Sequence, residues 1–157
     1  MNCLSETKIY EQRPSDFSPK VEVAATYVKF GDKLLFLELS HNKSEAGAWG
    51  VPAGKLESNE EPIKAAKREL FEETGINVPS ESLFQSFGQL YVRKPDIDYI
   101  YHLFGVNLKT LPDIHLSNEH LSHKWVLRQE AEQLPLMQGA KGALDFYYQR
   151  ASEQEWT

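Results

Sequence analysis

The sequence predicts an α+β fold, a central mixed β-sheet covered by helices in an α/β/α sandwich. Three observations point there. Runs rich in β-branched and aromatic residues fall into two groups, Val21 to Leu39 and Leu83 to Leu108. A helical pattern separates the two groups, and a second helical pattern ends the chain. Elements in the order strands, helix, strands, helix bury their apolar surfaces most simply as a sheet with helices laid on it.

The length of 157 residues fits a single domain, 1–157, with enough chain for a real core. Residues 1–19 are polar, contain Pro14 and Pro19, and read as an N-terminal arm or a short edge strand around Ile9. Val21 to Phe30 (VEVAATYVKF) and Lys33 to Leu39 (KLLFLEL) flank the turn signal Gly31-Asp32 and read as a hairpin. Ser40 to Ala48 is a loop by composition. Trp49-Gly50-Val51-Pro52-Ala53-Gly54 is a short strand ending in glycine, and Lys55 to Asn59 is a loop.

A helix follows, from Glu61 or Pro62 to Thr74. Proline fits the first turn, where its missing N–H costs nothing, and Gly75 suits the C-terminal cap. Ile63, Ala66, Leu70 and Thr74 recur at helical spacing and form the expected core face. Glu69, Glu72 and Glu73 project from one side, away from that face, because residues three and four apart are neighbours on a helix. Three carboxylates with no lysine in register read as a site for a hard cation, Mg²⁺ or Mn²⁺. A solvated acidic face is the alternative at this point.

Beyond the helix, Leu83 to Val92 and Asp98 to Leu108 are β-patterned runs around the turn Arg93-Lys94-Pro95-Asp96. Lys109 to Asn118 is a loop, His123 to Leu127 a short strand, and Arg128 to Leu134 a short helix. Met137 to Ala151 shows an amphipathic face that predicts a terminal helix.

Composition excludes several classes. A net charge of −6 argues against a partner that is a nucleic-acid polymer, which would need a basic face. An acidic protein handling an anionic substrate needs metal ions to reverse the local sign. The single cysteine, Cys3, lies in what reads as a loose end; one cysteine excludes a disulfide framework and a cysteine-based zinc site, and fits a reducing compartment. No apolar run reaches the length of a membrane span, and the first residues hold no signal-peptide core, so no membrane partner and a cytoplasmic location are expected.

Taken together, Gly54, Glu60, Arg68-Glu69-Leu70, Glu72-Glu73 and Gly75-Ile76 occupy nine fixed positions over twenty-three residues. That spacing resembles the signature of the Nudix hydrolases, the MutT-like family. The preceding Trp49 to Gly54 is similar to the family's W-x-x-P-G-G entry, with Ala53 at one glycine position. The motif covers about a seventh of the chain. The resemblance implies the Nudix fold and hydrolysis of a nucleoside diphosphate linked to another moiety. In that reaction water attacks a diphosphate phosphorus and two phosphorylated products leave. A Nudix fold used as a nucleotide-binding or regulatory module without turnover is the alternative; such modules usually lose a box glutamate, and none is lost here.

The resemblance assigns Glu69, Glu72 and Glu73 to the metal, with the Gly54 carbonyl as a further ligand, and Glu72 and Glu73 also to catalysis. Arg68 is assigned to positioning, its fork holding a carboxylate, with an exposed pair to Glu72 as the alternative. Glu60 is expected to brace the loop. Glu57 is a candidate ligand or substrate-side residue, or else a solvated loop acid. Many members add a carboxylate from a later loop; here that is Glu119, beside His120, with Asp96, Asp98 and Asp113 as rivals for the general base. His102 is expected to be a satisfied strand histidine.

Base recognition in such pockets comes from aromatic stacking with a few hydrogen bonds. Tyr27, Phe36, Trp49, Tyr91, Tyr99 and Tyr101 are the candidates, with core packing as the competing role. Trp49 and Tyr91 are carried forward as substrate-binding residues with Glu57. Members specific for ADP-ribose tend to have a proline about where Tyr91 stands, which counts against that substrate. Tyr91 is one position off the tyrosine expected of dinucleoside-polyphosphate hydrolases. A nucleoside triphosphate, a nucleotide sugar and a dinucleoside polyphosphate stay open. Similar proteins are commonly homodimers, and the N-terminal arm could supply an exchanged strand.

Overall fold

The computed structural model describes residues 6–154. Cys3 lies outside them. Among the described residues, one mixed eight-stranded sheet carries helices on both faces. The α+β sandwich expected from the element order is therefore the architecture observed.

Strand β2 (Pro19–Phe30) organises the sheet. It pairs in parallel with β7 (Ile97–Leu108) along its whole length, from Pro19↔Asp98 to Phe30↔Leu108. At Gly31-Asp32 the chain reverses into β3 (Lys33–Leu39), but the two strands stay paired only at Lys29↔Leu34 and Phe30↔Lys33. They then splay apart. The segment Trp49 to Lys55 fills the gap, and the single strand expected there is two strands with different partners. β4 (Trp49–Gly50) pairs with β3, and β5 (Ala53–Lys55) pairs with β2 through Val23↔Lys55 and Ala25↔Ala53. This wedge carries the chain to the helix α1 (Pro62–Thr74).

On the other side of β7, β6 (Gln85–Lys94) completes an antiparallel hairpin that closes at Lys94↔Ile97. The turn is tighter than expected, and Arg93 and Lys94 belong to the strand. Leu83 lies in a single 3₁₀ turn, Glu81–Leu83, ahead of it. The edge strand β1 (Lys8–Tyr10) pairs with β6 of the same chain, Ile9 opposite Val92. Phe17 then anchors the arm, its ring meeting Tyr91 edge-on at 5.4 Å. Arg93 grips Asp98 at 2.8 Å, and Asp98 accepts the Ser18 N–H at 2.9 Å. β8 (His120–Val126) pairs with β3 and begins three residues earlier than the sequence suggested, so His120 is a strand residue. The helix α2 (Arg128–Ala131) ends short of Leu134, because Trp49 donates to the Pro135 carbonyl and draws that segment to the sheet. For the same reason α3 (Ala140–Glu153) starts at Ala140, since Met137 donates back to the Trp49 carbonyl.

Alternation along β2 and β3 feeds both faces. Tyr27, Leu34 and Phe36 pack under α3 with Leu144 and Tyr147, while Ala24, Val28, Leu35 and Leu37 pack under α1 with Ala65, Ala66 and Leu70. Leu70 is 1% exposed; a buried leucine of this kind costs about 2–5 kcal/mol when cut to alanine. The expected core face of α1 holds at Ala66, Leu70 and Thr74, with one correction. Glu73 is buried too, at 5% exposure, so the carboxylates do not all point away from the core. Three residues on from Leu70, it falls on the same inward stripe. Among the described residues, no helix is long and apolar enough to cross a membrane.

Candidate active site

The site is assembled where the β4–β5 wedge, α1 and the approach to β8 converge. The last turn of an α-helix leaves carbonyls without intrahelical partners. In α1 two of these accept hydrogen bonds from the incoming loop: His115 N–H to the Thr74 oxygen at 2.7 Å, and Ser117 N–H to the Glu73 oxygen at 3.4 Å. Ile114 and Leu116 alternate with these donors and pack against the core under α1. The loop then hands Glu119 to the cleft, and the Glu119 carbonyl accepts the Ser40 N–H at 3.0 Å. Gly75 makes the close approach possible. Its φ of +78° is left-handed, and a side chain there would press on the His115 ring.

The resulting cleft has a volume of about 500 Å³ and is lined by Ala53, Gly54, Lys55, Glu69, Glu72, Glu73, Ser117, Asn118, Glu119 and Lys43. Gly54, Glu69, Glu72, Glu73 and Glu119, all singled out from sequence, are therefore brought together. Gly54 lies directly beneath Glu69, and a Cβ at that position would fall inside the Glu69 carboxyl group. Glu73 accepts the Ala53 N–H at 3.1 Å through Oε1. Burial first, and then the Glu69 charge, push its carboxyl up to about 9. Glu119 and Glu72 add to that rise, while the Ala53 N–H opposes it. The Glu69 carboxyl is raised as well, mainly by burial and against the pull of Arg68.

Arg68 ties the rim together. Its Nε and Nη2 reach the two Glu60 oxygens at 2.8 and 2.9 Å, a bidentate fork. Its Nη1 reaches Glu69 at 3.0 Å and Glu72 at 3.2 Å, and Nη2 also donates to the Lys55 carbonyl at 3.1 Å. The pair with Glu72 is thus one contact among several. Glu60 in turn accepts the Glu57 N–H at 2.9 Å, which closes the loop from Lys55 to Glu60. Hydrogen bonds from Arg68 and from that N–H hold the Glu60 carboxyl down to about 2.

The donor set suits a hard divalent ion. It consists of carboxylates, two of which, Glu69 and Glu73, are hard to ionise where they are buried without a compensating cation, and Arg68 reaches Glu69 and Glu72 but not Glu73. Among the described residues, no three acids or histidines are already gathered as a ligand set. Glu69 leans instead on Arg68.

Other expected residues lie elsewhere. Trp49 is 6% exposed and belongs to the core, with the Lys124 ammonium 5.1 Å over its ring. Tyr91 braces Phe17 and accepts from Gln89 Nε2 at 2.8 Å, away from the cleft. The Glu57 side chain is 71% exposed and stands 3.9 Å from Arg68, outside the cleft lining. Neither Asp113 nor Asp98 lines the cleft, and the Asp98 carboxyl is held down to about 2 by Arg93. Asp96 lines a neighbouring cavity instead. His102 pairs with Glu22 at 2.7 Å. Lys43, 3.6 Å from Glu119, was not expected. Its only signal is a lysine in the polar loop before Trp49, which no spacing rule distinguishes. Four of the six aromatic candidates, Tyr27, Phe36, Tyr99 and Tyr101, line the neighbouring cavity, which has a volume of about 640 Å³ and shares Ala53, Gly54 and Lys55 with the cleft.

Comparison with known proteins bears on the family and the fold. Residues 20–147 match the model of the NUDIX domain. The chain is 29% identical to the CTP pyrophosphohydrolase of Escherichia coli over 119 residues, 74% of this chain and 82% of that protein. It is 30% identical to the phosphatase NudJ of Escherichia coli over 95 residues, 60% of this chain and 59% of that one. A match at 33% identity to an octanoyltransferase of Myxococcus xanthus covers 61% of this chain and only 27% of that protein. Among solved structures, the MutT protein of Methanosarcina mazei superimposes with a TM-score of 0.71 at 26% identity, over 87% of this chain and 96% of that one.

Proposed function

The chain belongs to the NUDIX hydrolase family, and from that premise we propose that it hydrolyses a nucleoside diphosphate linked to another moiety, with Mg²⁺ or Mn²⁺ as cofactor. The observation that carries this reading is the placement of Glu73. A carboxylate this buried, under the charges of Glu69 and Glu119, has no cation paired with it among the described residues and suits a divalent one. Glu69, Glu72 and Glu73 would hold the ion, beside Gly54. Bound there, it would offset the charge of the diphosphate and polarise its P–O bonds.

The remaining roles fall to the chain itself. Arg68 and Glu60 keep the loop from Lys55 to Glu60 against α1, so that Gly54 and Glu69 hold their spacing. Glu119, exposed at the cleft mouth, takes the proton from the attacking water. Water adds to a phosphorus, the bridging P–O bond breaks, and two phosphorylated products leave. Lys43, already paired with Glu119, offers its ammonium to a phosphate oxygen. The cavity beside the cleft takes the organic part of the substrate. The names of the relatives, a CTP pyrophosphohydrolase and a phosphatase, support this class of substrate.

The test is a panel of nucleoside triphosphates, nucleotide sugars and dinucleoside polyphosphates with Mg²⁺ or Mn²⁺, read as phosphate after a coupled phosphatase. Turnover of at least one compound is expected, abolished by chelator and reduced more than about a hundredfold by Glu73→Gln, with the fold intact. An inert panel, or a Glu73→Gln variant with most of its activity, would overturn the proposal.

A further inference from the structure

The loop from Ser40 to Ala48 touches both chambers of the site. It is ordered by its own turns, with Lys43 N–H bonded to the Ser40 carbonyl at 3.2 Å and Ala48 N–H to the Glu45 carbonyl at 2.9 Å. Lys43 lines the cleft, and two residues later Glu45 lines the larger cavity. At the base of that cavity the Tyr27 and Tyr101 hydroxyls stand 3.0 Å apart and satisfy each other. Much of the remaining wall is aliphatic, and the polar partners it offers a ligand edge are Ser44, Glu45, Lys55, Lys94, Asp96 and Gln138. The Glu45 carboxylate is fixed by the Gln138 N–H, which donates to Oε1 at 2.9 Å. Burial and the nearby Glu45 charge push the phenol of Tyr99, another wall residue, up to about 12.

A carboxylate is an acceptor only, with about four lone-pair sites, and the Gln138 N–H uses one of them. Whatever faces the free lone pairs must donate. A phosphate cannot do so; in the reading above the phosphates lie in the cleft, where a divalent ion would offset its four carboxylates. A cavity of about 640 Å³ with apolar and tyrosyl walls suits a planar heterocycle. A ring bearing an exocyclic amine presents N–H donors to Glu45 at that position, whereas its keto counterpart presents an oxygen there and keeps only the neighbouring ring N–H as a donor.

We propose that Glu45 is a specificity residue that selects nucleobases carrying an exocyclic amine, cytosine or adenine, over uracil or hypoxanthine. This inference rests on the nucleotide-hydrolase reading above. A hydrogen bond to a charged group that the keto oxygen of the competing base cannot make is worth about tenfold to a hundredfold in kcat/KM.

The experiment measures kcat/KM for two matched pairs, CTP with UTP and ATP with ITP, on the full chain and on Glu45→Gln. Glutamine keeps an oxygen for the Gln138 N–H and replaces the other with a donor. The amine-bearing member of each pair is expected to be preferred about tenfold to a hundredfold by the natural chain. In Glu45→Gln the ratio should fall toward unity or invert, because the keto substrate gains. The ratio is internal to each preparation, so a change in stability leaves it unmoved. Ratios near unity in the natural chain, or a preference that survives Glu45→Gln, would overturn the role of Glu45 while leaving the hydrolase reading standing. Absence of turnover on all four nucleotides and across the wider substrate panel would remove both.

Discussion

Arg68 holds Glu60 at two points, Nε to Oε2 at 2.8 Å and Nη2 to Oε1 at 2.9 Å, across eight residues of sequence. The same guanidinium reaches Glu69 and the Lys55 carbonyl. One side chain therefore fixes the loop before α1 and the first acid of the cleft. Lysine keeps the charge but cannot reproduce the fork. Arg68→Lys is expected to lower kcat/KM about tenfold to a hundredfold, the usual cost of losing a group that orients ligands. Glu60→Gln should have a smaller effect of the same kind. Measuring kcat/KM against Mg²⁺ concentration checks the mechanism: the loss should be partly recovered at high Mg²⁺, and a loss independent of Mg²⁺ would place Arg68 on the substrate instead.

Gly54→Ala tests the approach of the wedge to α1. The backbone at Gly54 is not left-handed, so alanine is conformationally permitted there. Its Cβ would nevertheless overlap the Glu69 carboxyl. Overpacking of this sort costs about 1–3 kcal/mol. The side chain of Glu69 must move, so the variant should bind Mg²⁺ more weakly, measured by titration calorimetry, and lose activity with a thermal shift of only a few degrees. Unchanged Mg²⁺ affinity would show that Glu69 does not act from its present position.

The punctuation of α1 was legible because Pro62 and Gly75 act locally, through a fixed φ and a left-handed one. The hairpin at Gly31-Asp32 and the pairing of the two long later strands were legible for the same reason. The burial of Glu73 was not. An acid on a core stripe contradicts the hydrophobic pattern, and its surroundings come from Ala53, twenty residues earlier, and Ser117, over forty residues later. The wedge was also illegible as two strands, since its pairings depend on β2 and β3 separating. Tyr91 and Tyr101 both sit on alternating strands, and only the placement of the helices decides which faces a cavity. Tyr101 lines the cavity, whereas Tyr91 braces Phe17. Glu119 could be proposed from its place before a strand, but what seats it is a set of backbone bonds to α1 and Ser40 that no side-chain pattern encodes.

Glu119→Gln separates proton transfer from binding. The side chain is exposed and paired only loosely with Lys43 at 3.6 Å, so the fold should be unaffected. If Glu119 takes the proton from water, kcat falls at least about tenfold while KM stays within about twofold. An unaltered kcat would move the base to another residue and leave Glu119 as a partner of Lys43.

The pH dependence of stability follows from Glu73, whose folded carboxyl is raised to about 9 against an unfolded value of 4.5. Between those values the folded protein holds a proton that the unfolded chain has released. Stability therefore falls as pH rises through that window when no metal is present. Glu69 shifts in the same direction and adds to the slope. Thermal unfolding in chelator should show Tm declining from about pH 5 to pH 9, and Glu73→Gln should flatten the decline because the amide has no proton to lose. Mg²⁺ competes with that proton, so its affinity should rise about tenfold per pH unit over the same range, approaching a plateau near the folded value. The thermal shift caused by Mg²⁺ should accordingly be larger at pH 8.5 than at pH 6. A Tm that is flat or rising with pH in chelator would mean that Glu73 is ionised in the folded protein, with a cation already compensating it.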